Sequence, residues 1–229
     1  MTSQAAWQLG SAAVLGVALA AGFWWFERSR PPASVVAAVA ALAAFAVIGR
    51  IVFAPFPNVK PTTDIVIVAG FVLGAEPGLL VGALAALVSN FYFAQGPWTP
   101  WQMFAWGLCG LFGALLGRVS RGSLGRLPMA ACCAVAGLGY GVILNFGSAV
   151  NFGGADLLTS FFVYQGQAAP FDIAHAAGNF AFYMLAGPAL IQMLRRLRRR
   201  ADLSWPAGEV PTTAQIVAAR SAARFLNRA

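Results

Sequence analysis

The chain is short of charge. Only 10% of its 229 residues are Asp, Glu, Lys or Arg, against about 25% in a soluble domain, which excludes an ordinary water-facing surface. Lysine is nearly missing: Lys60 is the single one among 15 basic residues. No glycine-rich run leads into it, so the chain has no phosphate-cradling loop of its own for ATP hydrolysis. His175 is the only histidine, which excludes a multi-histidine metal centre. There is no Cys-x-x-Cys pair, no His-Glu-x-x-His, no Asp cluster for a magnesium diphosphate, and no serine in a nucleophile-elbow setting. Seven acidic residues, mostly at helix ends, are too few for a proton relay across a membrane. The expectation is a protein with no cofactor, no bound metal and no enzymatic activity. The one catalytic alternative left open is an intramembrane enzyme using Asp172 and His175. Cys109, Cys132 and Cys133 lie inside apolar runs and read as small core residues, not disulfides or ligands.

What the chain has in quantity is apolar length. Hydrophobic residues make up 59% and the mean hydropathy is +0.72. Apolar runs repeat along the sequence, each bounded by short loops, and this pattern predicts an all-α polytopic membrane bundle. The net charge of +8 does not point to nucleic acid, because most of the arginines sit in loops on one side of the predicted spans. Arg28 and Arg30, then Arg118, Arg121 and Arg126, then the five arginines of 195–200 all fall on that side. The opposite loops hold Lys60 alone. That bias places the arginine side in the cytoplasm. It predicts a multi-pass plasma-membrane protein with its N-terminus outside and its C-terminus inside.

Seven helices are expected. The first, Trp7 to Phe26, has no basic residue before it and reads as an uncleaved span. The second runs from Ala33 to Phe53. Ala33, Ala37 and Ala41 repeat at four-residue spacing, as do Ala40 and Ala44, and small stripes let another helix approach closely. They serve either packing within the chain or a partner. The loop Ala54 to Pro61 is stiffened by three prolines. Helices three (62–73) and four (77–93) flank an expected tight turn, Ala75-Glu76-Pro77-Gly78. Thr62 or Thr63 is expected to cap helix three, with Asp64 in its first turn and within reach of Lys60. Helix five begins at Thr99-Pro100 and helix six spans Pro128 to Val150. The loop 151–170 contains an apolar patch, Leu157 to Tyr164, read as a lid. The last helix starts near Pro170 and ends by Leu194. A cationic amphipathic tail follows, with Ile216, Ala219, Ala223 and Leu226 near one face and Arg220, Arg224 and Arg228 on another. Three regions result: 1–32 an extra N-terminal helix, 33–200 a six-helix core, and 201–229 the tail.

Polar residues at the outer ends of these helices converge on one mouth. Arg50 is expensive at that depth and either snorkels or faces inward. Asn58, Lys60, Asn90, Gln95, Gln102 and Asn145 supply amides and a second cation. Trp98 and Trp101, with Trp106, form either an interfacial belt or a stacking wall. Asp172, His175 and Asn179 share one helix face at i, i+3 and i+7. They are either an internally satisfied triad or a binding wall.

The central stretch is similar to a known family. Pro57-Asn58-Val59-Lys60-Pro61-Thr62-Thr63-Asp64, Ala69-Gly70, Leu73-Gly74, Gly78, Val81-Gly82-Ala83, Ser89-Asn90 and Gln95-Gly96-Pro97-Trp98-Thr99-Pro100-Trp101-Gln102 resemble the S components of energy-coupling factor (ECF) transporters. The resemblance covers about Ala33 to Leu194, and Asp172-x-x-His175 with Gly178-Asn179 fits the family's last helix. It implies a six-helix core that captures a vitamin or related planar micronutrient near the outer surface. It also implies partners: a transmembrane scaffold subunit and two ATPase subunits, with the core toppling in the membrane to release substrate. The family's Ala-x-x-x-Ala contact with the scaffold maps onto Ala33, Ala37 and Ala41 or the overlapping Ala40 and Ala44. The N-terminal helix and the cationic tail depart from the pattern. The family's nickel/cobalt branch uses an N-terminal histidine, and here residue two is Thr. Beside this stands the reading of an accessory subunit of another membrane complex, using the alanine stripe and the tail.

Overall fold

The computed structural model describes residues 3–154 and 156–200, apart from the side chains at 3, 4, 7 and 200. The expected tail helix lies outside these residues. Seven helices are described: α1 (Ser3–Arg28), α2 (Ala33–Val52), α3 (Thr62–Leu73), α4 (Ala75–Phe93), α5 (Thr99–Val119), α6 (Arg126–Phe152) and α7 (Leu157–Arg200). Six of them are long and apolar enough to cross a membrane; α3, with 12 residues, is the exception. The described chain is thus an all-helical, polytopic bundle.

The short helix is the centre. Residues 62–72 of α3 are all buried, walled by α2, α4, α5 and α7. Apolar Ile65 to Ala69 are no more than 3% exposed. A helix of about 18 Å cannot span a bilayer, and it need not, because its whole surface meets other helices. Glycines let those neighbours come close. A Cβ at Gly70 would stand 1.9 Å from the Gly110 carbonyl oxygen, one at Gly110 2.1 Å from that of Gly78, and one at Gly113 2.1 Å from that of Ile67. The α3–α4–α5 contact is therefore backbone against backbone, the arrangement small residues give in bilayers.

Several expected boundaries are corrected. Ala75-Glu76-Pro77-Gly78 is not a turn but the start of α4. The reversal is made by Gly74 alone, at φ 108° and ψ −177°, a conformation open only to glycine. Pro77 sits in the first helical turn, where a missing N–H costs nothing. Neither Thr62 nor Thr63 caps α3. Thr62 donates to the Ala46 carbonyl in α2 at 3.3 Å and Thr63 faces His175. Asp64 does not pair with Lys60. It is buried, and neither carboxylate oxygen meets an N–H or O–H donor.

The largest correction is in α7. The stretch read as a loop and lid, followed by a helix from Pro170, is one helix of 44 residues containing Pro170 and Pro188. Asp156 starts it. Its carboxylate accepts the Leu158 amide at 3.1 Å and the Thr159 hydroxyl, which is the N-cap role. The helix runs through both prolines, although each removes one backbone hydrogen bond from it.

Successive helices alternate in direction, so two ends gather different chemistry. One end collects Arg50, the loop 53–61, Asn90 to Gln102, Asn145 and the first turns of α7. The other collects Arg28, Arg30, Arg118, Arg121, Arg126 and the arginines after 194. The helix α1 packs on α4, α5 and α6 at the periphery, with Leu15 buried against Trp101 and Val150.

Candidate functional site

A cavity of ≈ 270 Å³ lies at the arginine-poor end. Each wall comes from a different element. The helix α2 gives Arg50, the loop gives Asn58 and Lys60, and α5 gives Gln102 and Trp106. Tyr140, Gly141, Leu144 and Asn145 come from α6, and Phe171, Asp172 and His175 from α7.

Arg50 settles its alternatives by facing inward. It is 7% exposed and donates to the Ser89 hydroxyl and, at 2.7 Å, to Asn90 Oδ1. Its guanidinium lies over Phe93 at 4.6 Å and Trp106 at 5.0 Å, so aromatic faces replace part of its lost hydration. Asn90 is fully buried and does not reach the cavity. It holds the wall from behind: its Nδ2 donates to Thr99 Oγ1 at 2.9 Å and to Gln102 Oε1 at 2.7 Å. That aligns Arg50, Asn90 and Gln102 in one hydrogen-bonded row.

The loop 53–61 forms the roof. Asn58 takes a left-handed conformation, φ 55°, which Asn accepts better than most residues. Val59 beside it rests on α7 at Gly178, and Phe53 meets Phe182 edge-on at 4.8 Å. Lys60 Nζ stands 5.7 Å from the Phe93 ring. Burial, and then the nearby Arg50 charge, hold its ammonium below the usual lysine range.

The opposite wall is a polar pair on α7. Asp172 Oδ2 accepts from Asn145 Nδ2 at 2.9 Å and from Gln165 Nε2 at 3.4 Å. His175 Nε2 lies 3.0 Å from Thr63 Oγ1, which also accepts the Trp106 indole N–H at 3.1 Å. The Thr63 hydroxyl can donate to His175 Nε2 or accept from it, according to the imidazole tautomer. Trp106 and Tyr140 lie 4.8 Å apart and Tyr140 meets His175 edge-on at 5.2 Å. Three rings thus line the floor. Asp172 and His175 are held by different partners and form no dyad.

Seven of the expected site residues line the cavity: Arg50, Asn58, Lys60, Gln102, Asn145, Asp172 and His175. The others do not. Gln95 is exposed and bonds the Leu87 carbonyl and Thr99. Trp98 folds over Gly96. Trp101 is buried between Gly147 and Phe146. Asn179 is fully buried, one turn below His175, and donates to the Cys133 carbonyl at 3.3 Å. Of the triad face, then, two members reach the cavity and the third packs the core beneath it. Tyr140, Phe171, Gln165 and Thr63 were not singled out as site residues. Gln165 lies two turns before Asp172, and helical spacing flags it once α7 is begun at Leu157; Tyr140, five residues before Asn145 on α6, is not flagged by that spacing. A larger cleft of ≈ 560 Å³ at the other end is lined by the backbone of the α3–α4 reversal and by Arg118, Arg121 and Arg198. It belongs to the arginine cluster and gathers no comparable set of aromatic and amide groups.

Compared with protein-family models, with curated proteins and with solved structures, the chain finds no match in any of the three.

Proposed function

We propose that this membrane-embedded helical protein is a substrate-capture subunit, like the S components it resembles, for a small planar micronutrient that a separate scaffold and ATPase module then drives inward. The observation that carries the reading is the cavity. It sits at one end of the bundle under a proline-stiffened roof, is lined by four rings, and converges amides, cations and one carboxylate on a single small volume. Ring walls with convergent polar groups are a common form of ligand site. A cavity of ≈ 270 Å³ suits a single ring with short substituents. The sequence supplies no ATP site of its own, so energy has to come from another subunit.

The test is direct. Full-length protein in lipid nanodiscs is screened by thermal shift against single-ring vitamins, and cells expressing it are assayed for accumulation of any hit. The expected result is one ligand class binding with submicromolar affinity, co-purification of an ATPase-bearing module from its native membrane, and uptake that needs both. Absence of any ligand together with absence of any such module sinks the reading.

A further inference from the structure

The polar lining of the cavity is unbalanced. It holds two cations, Arg50 and Lys60, and one carboxylate, Asp172. The carboxylate is already served, because Asn145 and Gln165 both donate to it. The cations are not. Arg50 is buried, yet its partners are the neutral oxygens of Ser89 and Asn90 and the faces of two rings. Lys60 Nζ stands 5.7 Å from the Phe93 ring, with the Arg50 charge nearby and apolar burial around it. Burying a charge without a counter-charge is costly, and here two like charges share one small space. An arrangement of that kind is stabilised by an incoming anion.

Building on the capture reading, we propose that the cavity selects a single-ring heterocycle carrying a carboxylate or phosphate, with the anionic group held between Arg50 and Lys60 and the ring stacked among Trp106, Tyr140 and His175. Asp172 Oδ1, turned towards Gly141, takes a ring N–H, and Asn58 and Gln102 finish the rim.

Lys60 gives the inference a readout of its own. Burial beside the Arg50 charge holds its ammonium below the usual lysine range, so anion affinity falls as pH rises through that lowered value. The other charged or titratable groups facing this space are Arg50 from α2, Tyr140 from α6, and Asp172 and His175 from α7.

The experiment uses full-length protein in nanodiscs and matched probes that differ in charge: nicotinate against nicotinamide, orotate against uracil, and pyridoxal 5′-phosphate against pyridoxal. Binding is read by calorimetry and thermal shift. At least one anionic member binds tenfold or more tightly than its neutral twin, and the carboxylate and phosphate arms show which anion is preferred. Lys60→Gln weakens that probe tenfold or more without lowering the melting temperature of the unliganded protein. Lys60→Arg keeps the affinity and removes its alkaline fall. Neutral twins binding equally or better overturn the inference and leave the capture reading standing. Anion binding with no accumulation in cells does the reverse. No binding by any probe, or full affinity in Lys60→Gln, overturns the inference outright.

Discussion

Asp172 can stand in the cavity wall only because the residue opposite has no side chain. A Cβ at Gly141 would fall 2.3 Å from Asp172 Oδ1 and 2.5 Å from Cγ. Gly141→Ala therefore displaces the carboxylate from Asn145 and Gln165. We expect ligand affinity to drop about tenfold, close to 1.4 kcal/mol, in calorimetric titration, with a smaller change in melting temperature. A second residue is strained in its backbone. Ala94, in the loop between α4 and α5, sits at φ 75° and ψ 139°, where a Cβ is penalised by about 1–3 kcal/mol. Its side chain is exposed, so Ala94→Gly removes the strain without opening a hole. The expected gain is about 1 kcal/mol, read as a higher melting temperature with unchanged binding. The site was partly legible because charged and amide groups at membrane depth are rare enough to single out, and Arg50, Asn145, Asp172 and His175 are found that way. Side-chain direction was not legible. Trp101 and Asn179 have the same chemistry and helical position as true lining residues. They turn to Phe146 and to the Cys133 carbonyl because glycines at 147 and 137 leave room for them there.

Among the elements, the α3–α4–α5 crossing has the least tolerance. Gly110→Ala sets a Cβ 2.1 Å from the Gly78 carbonyl oxygen, and both sides of that contact are backbone. Nothing there can rotate away, so the helices have to separate. We expect a loss at or above the top of the about 1–3 kcal/mol range for overpacking, measured by thermal unfolding in detergent. Gly107→Ala is the internal control. Its Cβ meets Leu79 at 3.6 Å, an ordinary contact, and helix propensity favours the change by up to about 1 kcal/mol. The start of α7 makes a pH prediction. The Thr159 hydroxyl, with the Leu158 and Thr159 amides, holds the Asp156 carboxyl below its usual range. A carboxyl depressed in the folded state stabilises above its unfolded pKa, and that support is lost as pH falls through the folded value. Amide-exchange protection in the first turns of α7 should fall with acid in the native chain, and Asp156→Asn, a neutral cap, should flatten the response. The helices themselves were legible from apolar length. The start of α7 was not, because Pro170 reads as a helix beginning and only the Asp156 cap says otherwise.

For the whole molecule, the proposed hand-over of ligand raises the question of which surface a partner would meet. The helix α2 divides cleanly. Val35, Ala38, Val39, Leu42, Ala43 and Ala46 face inward and are buried, so the chain's own packing uses one face. Ala33, Ala37, Ala40, Ala41 and Ala44 lie exposed on the other. The alanine stripe is thus free of the intramolecular role that was its alternative, and no helix of the described chain covers it. If the protein hands its ligand to a scaffold subunit, a flat stripe of methyl groups is the surface on which another helix could lie close, as small residues permit in bilayers. Larger side chains there would hold that helix off without touching the cavity at the far end of α2. Ala37→Leu combined with Ala41→Leu should leave the melting temperature and ligand affinity of the isolated protein within error, because neither position packs internally. Uptake in cells should fall at least tenfold, and the ATPase-bearing module should no longer co-purify. Undiminished uptake in the double variant would move the docking surface elsewhere and leave the cavity's role untouched.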